Sequence, residues 1–298
     1  MTTPSPRDER STGLAYALAA YLSWGLLPVY FKALKHVPAP EILAHRVVWS
    51  LALLAALLAV RGGRGAFTTP FRGGRWAILV LTTALISSNW LIYIWAVNSG
   101  RVVEASLGYF MNPLVNVLLG VAFLGETLSG RQRAAIALAA AGVAVLVLRA
   151  GAFPWVSLLL AASFGLYGLV RKRAAIDAIG GLFAETALLA PAAVGFLGLR
   201  AASGAGAFGS APGTSALLAA AGVITALPLV WFTLAVHRLR LSTMGLVQYI
   251  APTGQFLLGV ALYREPFTRA HAAAFGLIWA SLALYTWDAL ARLRVIER

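Results

Sequence analysis

The sequence has no cysteine and few charged residues, and both shortages narrow the class of protein. Without cysteine, disulfide bonds and thiol chemistry are excluded. Charged residues make up 11% of the 298 residues and hydrophobic residues 60%, whereas soluble domains carry about 25% charged residues. The mean hydropathy is +0.81. A soluble fold with so apolar a core would need a charged surface that this composition does not supply, so the composition predicts a polytopic membrane protein.

The sequence also lacks the signatures of common enzymes. Its three lysines, Lys32, Lys35 and Lys172, never follow a glycine, which excludes a P-loop. The four histidines are scattered, with no His-Glu-x-x-His metal motif, and no Gly-x-Ser-x-Gly nucleophile motif occurs. The sequence therefore predicts a protein that is not an enzyme and that holds no cofactor or metal.

Apolar runs long enough to cross a bilayer recur along the whole chain. A helical span needs about 20 mostly apolar residues. Proline and glycine interrupt several runs, which bundles of spanning helices tolerate. By this rule we predict an all-α integral membrane protein of about ten spans, at residues 13–31, 41–60, 76–97, 102–124, 132–149, 153–170, 179–199, 214–236, 242–262 and 270–288.

Basic residues fall unevenly between the connections. The net charge of +14 would suggest nucleic acid as a partner of a soluble protein. Here the cations lie in short gaps between spans, where they orient a membrane protein, so no nucleic-acid partner is predicted. The termini and the even-numbered gaps carry more than twice the Lys and Arg of the other gaps. The positive-inside rule then places both termini in the cytoplasm of a bacterial inner membrane.

The chain repeats a proline-centred span. Residues 104–128 read EASLGYFMNPLVNVLLGVAFLGETL and residues 243–267 read TMGLVQYIAPTGQFLLGVALYREPF, with Pro113 matching Pro252 and Glu126 matching Glu265. Each half, 1–149 and 150–298, holds five spans. Because five is odd, the second half enters the membrane from the opposite face. Such inverted repeats place a substrate site near the midplane and support alternating access between the two halves.

His45 and Arg46 are the most informative polar residues, because they lie inside the second span. A charge at the bilayer centre costs about 2.5–3.5 kcal/mol on insertion scales. Arg46 either attracts a carboxylate or other polar group of a substrate, or snorkels outward, or pairs with Glu41 or Glu104. His45 either titrates during a proton-coupled cycle or is an ordinary hydrogen-bonded histidine. Glu185, the match of His45 in the second half, either adds to a polar lining or is solvated at the membrane edge.

Polar residues at intervals of four form a stripe on the fourth span: Glu104, Gly108, Asn112 and Asn116. This spacing places them on one helical face, which lines either a cavity or a contact between helices. Pro113 predicts a local break beside the stripe, and the second copy carries Pro252 with Tyr249 and Gln255. We favour the cavity, because both copies keep the proline and a polar residue after it.

Aromatic residues follow the predicted inner faces, and they either stack on a substrate or only pack. They are Trp24, Tyr30, Trp49, Trp90, Tyr93, Tyr109, Tyr167, Trp231 and Tyr249.

Several short motifs together resemble one transporter family. They are Ser23-Trp24-Gly25 with Pro28 and Tyr30, Ala44-His45-Arg46, Ser88-Asn89-Trp90, Ser106 to Phe110, and Ala251-Pro252-Thr253. The chain resembles the RarD-type branch of the EamA family, within the drug/metabolite transporter superfamily. The resemblance implies ten helices in two inverted five-helix repeats around a central cavity. It also implies cavity or gating roles for Trp24, His45, Arg46, Asn89, Trp90, Tyr109 and Asn112.

Together these features predict a secondary transporter that exports a small organic solute by alternating access. The alternative is a ligand-binding membrane sensor or assembly subunit that does not transport. The expected partners are the solute and the lipid bilayer, and a monomer is compatible with the sequence. The candidate substrate-binding residues are Trp24, His45, Arg46, Asn89, Trp90, Tyr93, Glu104, Tyr109, Asn112, Tyr167, Tyr249 and Gln255.

Overall fold

The residues that the structure describes form ten α-helices and no strand. The computed structural model describes residues 6–68, 71, 75–125, 127–150, 153–174, 178–236, 238–239, 244 and 247–296. The helices are α1 (Pro6–Ala33), α2 (Ala39–Thr68), α3 (Trp76–Asn98), α4 (Val102–Leu124), α5 (Gly130–Ala150), α6 (Trp155–Ala174), α7 (Ala178–Ala202), α8 (Pro212–Val236), α9 (Ile250–Leu257) and α10 (Arg269–Ile296).

The helices confirm the all-α membrane fold predicted from the apolar runs. Seven of them, α1 to α5, α7 and α8, contain an apolar segment long enough to cross a bilayer. Segments of α6 and of the α9 region are apolar but shorter. Large apolar side chains such as Leu26, Val80 and Leu118 are exposed within the apolar segments of their helices, which fits a surface that faces lipid.

The two matched prolines have different local consequences. Pro113 lies inside α4, which continues without interruption from Val102 to Leu124, so the predicted break does not occur there. Neighbouring helices and local adjustments compensate for a proline in a spanning helix. In the second copy α9 widens into one π-helical turn, Leu258–Leu262, where the Tyr263 amide donates to the Leu258 carbonyl. The irregular turn therefore follows Gln255 rather than surrounding Pro252.

The helices of residues 1–149 pack mainly on helices of residues 150–298. The most extensive contacts pair α5 with α10, α4 with α6, α2 with both α7 and α8, α1 with α8, α3 with α6, and α1 with α9. Small residues allow close approach: a Cβ on Gly222 of α8 would lie within 3 Å of the Trp49 backbone of α2. The two halves therefore share one core.

The connections after α1, α3, α7 and α9 gather at one end of the bundle, here called the Glu265 end. The Glu265 carboxylate accepts hydrogen bonds from the Val102 and Val103 amides, each at 2.8 Å, and so caps the N-terminus of α4 from the other half. A carboxylate at a helix N-terminus satisfies amides that have no intrahelical partner. Glu265 is therefore a helix-end anchor, whereas its match Glu126 lies outside the described residues.

Candidate functional site

Arg46 lies about 10 Å inside α2, seven residues after the helix begins, at 1.5 Å per residue. Its side chain is 9% exposed, and its guanidinium carbon lies 4.1 Å from the centroid of the Trp90 ring on α3. The hydroxyls of Tyr30, Tyr93 and Tyr109 are within electrostatic range of the guanidinium. Residues from four helices, α1 to α4, therefore surround one buried cation with aromatic rings.

No carboxylate in the described part of the chain pairs with Arg46, and its buried Nε atom has no hydrogen-bond partner there. The two predicted structural partners are used elsewhere. Glu41 accepts from Arg200 at 3.0 Å and from the Ala207 amide at 2.5 Å. Glu104 pairs with Arg101 at 3.5 Å, one helical turn away, because i,i+3 residues share a helix face. The predictions that Arg46 pairs with Glu41 or with Glu104 are wrong.

Tyr93, Tyr109 and Asn89 continue the aromatic surroundings of Arg46. The Tyr93 and Tyr109 rings meet edge to face at 5.5 Å, and the buried Tyr93 hydroxyl has no described partner. Tyr109 donates to Asn89 Oδ1 at 3.4 Å. The Asn89 amide donates to the Leu160 carbonyl and to Ser163 Oγ, each at 3.0 Å, and so ties α3 to α6. Asn89 therefore positions the Tyr109 hydroxyl.

His45 is buried beside Arg46 in sequence but contacts a different group. Its ring stacks on Phe208 of the α7–α8 connection at 5.1 Å, with Trp49 also tilted against that phenyl ring. His45 Nε2 and Trp49 Nε1 are buried without a described hydrogen-bond partner. These two residues therefore anchor a connection of the second half at the Glu265 end.

The other sequence-predicted residues do not join the Arg46 surroundings. The Trp24 carbonyl accepts from Gln255 Nε2 at 3.0 Å, which joins α1 to α9. Tyr249 stacks on Phe110 of α4, along a groove lined mainly by the α9 region and α10. Glu104 lines a separate cleft at the Glu265 end.

The polar stripe on α4 lies largely against α6. A Cβ on Gly108 would come within 2.8 Å of the Ser157 carbonyl oxygen, and Asn116 Oδ1 approaches Gly165. Ser157 Oγ also donates to the Glu104 carbonyl oxygen at 2.6 Å. Along these residues the stripe forms a helix contact rather than a cavity wall. Asn112 Oδ1 is buried without a described partner.

Tyr167 belongs to a second buried cluster, in the second half. Its hydroxyl donates to Glu185 Oε2 at 3.0 Å and accepts from Arg171 Nη1 at 2.6 Å. Arg171 also pairs with Glu185 at 3.3 Å, and Glu185 is 1% exposed. The alternative in which Glu185 is solvated at the membrane edge is wrong. Reasoning from the sequence missed Arg171, although Tyr167 and Arg171 at i,i+4 on α6 face the same side.

These features define a class of protein: a multi-pass membrane protein whose two halves enclose buried polar residues. Comparison with known proteins identifies the family. The model of the EamA-like transporter family matches residues 11–148. An uncharacterized transporter of Vibrio cholerae is 45% identical, over 97% of this chain and 96% of its own.

Two proteins named RarD are also similar to this chain over most of its length. The one from Streptomyces exfoliatus is 46% identical over 95% of this chain and 90% of its own. The one from Escherichia coli is 44% identical over 95% and 97%. A protein of known crystal structure matches with a TM-score of 0.59 at 22% identity, over 95% of this chain and 99% of its own, which supports the fold. The chain belongs to the EamA-like transporter family, as a relative of the RarD proteins.

Proposed function

We propose that the chain is a secondary transporter that exports a small organic solute carrying an anionic group, by alternating access. Arg46 carries this proposal, as the buried cation for which the described residues supply no carboxylate. Burying a charge costs about 2.5–3.5 kcal/mol even on lenient insertion scales. Its contact with Trp90 is the kind worth about 0.5–2 kcal/mol. An anionic group of the solute offsets the remainder.

The surroundings of Arg46 also fit the shape of such a solute. A guanidinium binds a carboxylate or phosphate through two parallel hydrogen bonds. The Tyr93 hydroxyl offers a further unsatisfied polar atom, and Trp90 and Tyr109 supply flat apolar surfaces. We therefore assign the anion to Arg46 and the rest of the solute to the aromatic side chains.

The pattern of helix contacts supports two inverted five-helix repeats. In such a repeat each helix of the first half is equivalent to the helix five places later. The α4–α6 contact should then have an equivalent contact α9–α1, α3–α6 the equivalent α8–α1, and α2–α8 the equivalent α7–α3. Each of these contacts exists. The equivalent helices run in opposite directions, since α1 ends and α6 begins at the Glu265 end. The family match over residues 11–148 supports division into 1–149 and 150–298.

Contacts between the halves at the Glu265 end support alternating access. Glu265 caps α4, Arg200 pairs with Glu41, and Lys32 lies 5.1 Å from the Tyr263 ring. Each contact links one half to the other at the same end of the bundle. Rocking of one half against the other would break these contacts and open this end, while the helix core continues to join the halves.

The energy source is an ion gradient or the gradient of the solute, because the sequence contains no nucleotide-binding P-loop. We assign no catalytic activity to the chain. We place it in the bacterial inner membrane with both termini in the cytoplasm, from the distribution of Lys and Arg. Reporter fusions after Arg298 and near Ser203 test this orientation. The first should report the cytoplasm and the second the outside, and a shared side would contradict the ten-span topology.

Flux through purified protein in proteoliposomes tests the function. A panel of carboxylated, phosphorylated, neutral and cationic solutes is loaded, and release is compared with that from protein-free liposomes. At least one anionic solute should be released faster through the protein. Release of only neutral or cationic solutes would contradict the role of Arg46. Saturable binding without any flux would favour the alternative of a membrane sensor or assembly subunit.

A further inference from the structure

A cleft of about 910 Å³ opens at the Glu265 end, away from Arg46 and its aromatic neighbours. It lies between α4, α5 and α10, beside the start of α6. Charged residues, among them Arg101, Arg149 and Arg269, line its mouth, and Val145, Ala273 and Leu107 line its deeper part. We propose that this cleft binds an anionic phospholipid of the surrounding bilayer. The inference does not depend on transport.

The depth of the cleft matches the two parts of a phospholipid. Arg149 and Arg269 lie at helix ends, at the level where spanning helices meet water. Val145 and Ala273 each lie four residues further into the bundle and Leu107 lies six residues past Arg101, which is about 6–9 Å deeper at 1.5 Å per residue. The headgroup would bind the charged mouth, and an acyl chain would pack along the apolar wall below it.

The charge of the mouth selects an anion. Of the two acids that line it, Glu265 already accepts from the Val102 and Val103 amides, and Glu104 pairs with Arg101. His271 is held by Thr268, at 2.9 Å from its hydroxyl. Arg149 and Arg269 have no acidic partner in the described part of the chain. Two arginines therefore remain to bind a phosphate, which guanidinium groups hold through charge-assisted hydrogen bonds.

A phospholipid fits this cleft better than a free anion does. A free phosphate would use the arginines but not the apolar wall. A second copy of the chain would have to place an acidic residue opposite the two arginines. Because the chain has only 10 acidic residues against 24 Lys and Arg residues, a second copy is a poorer partner for this mouth. The apolar wall and the basic mouth together therefore favour the lipid.

Native mass spectrometry of the full-length protein tests the proposal. The protein is reconstituted with equal amounts of phosphatidylglycerol and phosphatidylcholine, extracted in mild detergent, and examined for retained lipid. The wild type should retain phosphatidylglycerol preferentially. The double variant Arg149→Gln, Arg269→Gln should retain about thirtyfold less, since each basic residue near an anionic lipid surface contributes a factor of about five. Arg133→Gln, which replaces an exposed arginine at the opposite end of α5, should retain wild-type amounts.

A second variant separates a lipid from a free anion. Ala273→Trp fills the apolar wall and should reduce lipid retention, whereas Ala272→Trp, at the neighbouring exposed position of α10, should not. Equal retention of the two lipids, or unchanged retention in the double arginine variant, would overturn the proposal. So would displacement of the lipid by millimolar inorganic phosphate alone. A dimer that the double arginine variant abolishes would assign the cleft to a second copy instead.

Discussion

Arg46 in the first half of the chain and Glu185 in the second half are both buried charged residues, yet their partners differ. Glu185 accepts from Tyr167 at 3.0 Å and pairs with Arg171 at 3.3 Å, all within the second half. Arg46 has the face of Trp90 at 4.1 Å and no described carboxylate. Glu185 therefore has a buried countercharge, whereas Arg46 has none among the described residues.

We propose that this difference separates a structural charge, Glu185, from a charge that binds a ligand, Arg46. Burial is similar in both places, so burial by itself does not identify a binding residue. A buried ion pair recovers its desolvation cost only when its geometry and further hydrogen bonds are good, and the Glu185 cluster meets both conditions. Arg46 meets neither condition within the described residues, which is why we propose that an anionic solute pairs with it.

The largest expected effect follows replacement of Arg46. Truncating one member of a buried, hydrogen-bonded charge pair costs about 2–5 kcal/mol, which is about thirtyfold or more in affinity. Arg46→Ala should therefore abolish solute flux in proteoliposomes. Arg46→Lys keeps the charge but loses the planar fork, so it should retain only part of the flux.

Arg133→Gln provides the control, because Arg133 is exposed on α5 and should transport at the wild-type rate. Amounts of inserted protein are measured for all variants. An Arg46→Ala protein that inserts normally and transports at the wild-type rate would place the solute elsewhere, and the difference between the two halves would lose its functional meaning.

The second expected effect is on stability and concerns Glu185. Glu185→Gln removes the carboxylate that Arg171 and Tyr167 contact, and breaking a buried pair costs about 3–5 kcal/mol. The midpoint of thermal unfolding in detergent should fall clearly. Replacing both partners, Arg171→Met with Glu185→Leu, should restore much of the stability, because no unpaired charge remains. A stable Glu185→Gln protein without flux would move the solute site into the second half.

The sequence predicts the helices well because apolar runs and helix limits coincide in most of the chain. The predicted span 102–124 agrees with α4, Val102–Leu124. The apolar run predicts a last span at 270–288, whereas α10 runs from Arg269 to Ile296. Hydropathy detects the apolar segment only, and a helix continues through the arginines that follow, since arginine is a good helix former.

The site is less predictable because sequence does not say which helix faces meet. Arg46 and Trp90 were both named from the sequence, but their contact depends on how α2 lies against α3. By charge alone Glu104 is a reasonable partner for Arg46, yet it pairs with Arg101, which lies one helical turn away. Periodicity identifies the α4 stripe as one face, whereas only packing shows that Gly108 contacts α6.

The smallest expected effect concerns Glu265. Like Glu185, this carboxylate has hydrogen-bond partners, but they lie in the other half of the chain. Glu265→Gln weakens the cap on α4, which should cost about 1 kcal/mol, the usual value of a helix cap. The unfolding midpoint should therefore change little, whereas the Glu265 end should open more often.

Spin labels at Ser99→Cys and Pro266→Cys measure the distance between the two halves at the Glu265 end, without background labelling because the chain has no cysteine. The variant should broaden the distance distribution toward longer values. Glu104→Gln is the matched control, because Glu104 pairs with Arg101 inside one half. Equal broadening in both variants would show that the Glu265 contact does not hold the halves together.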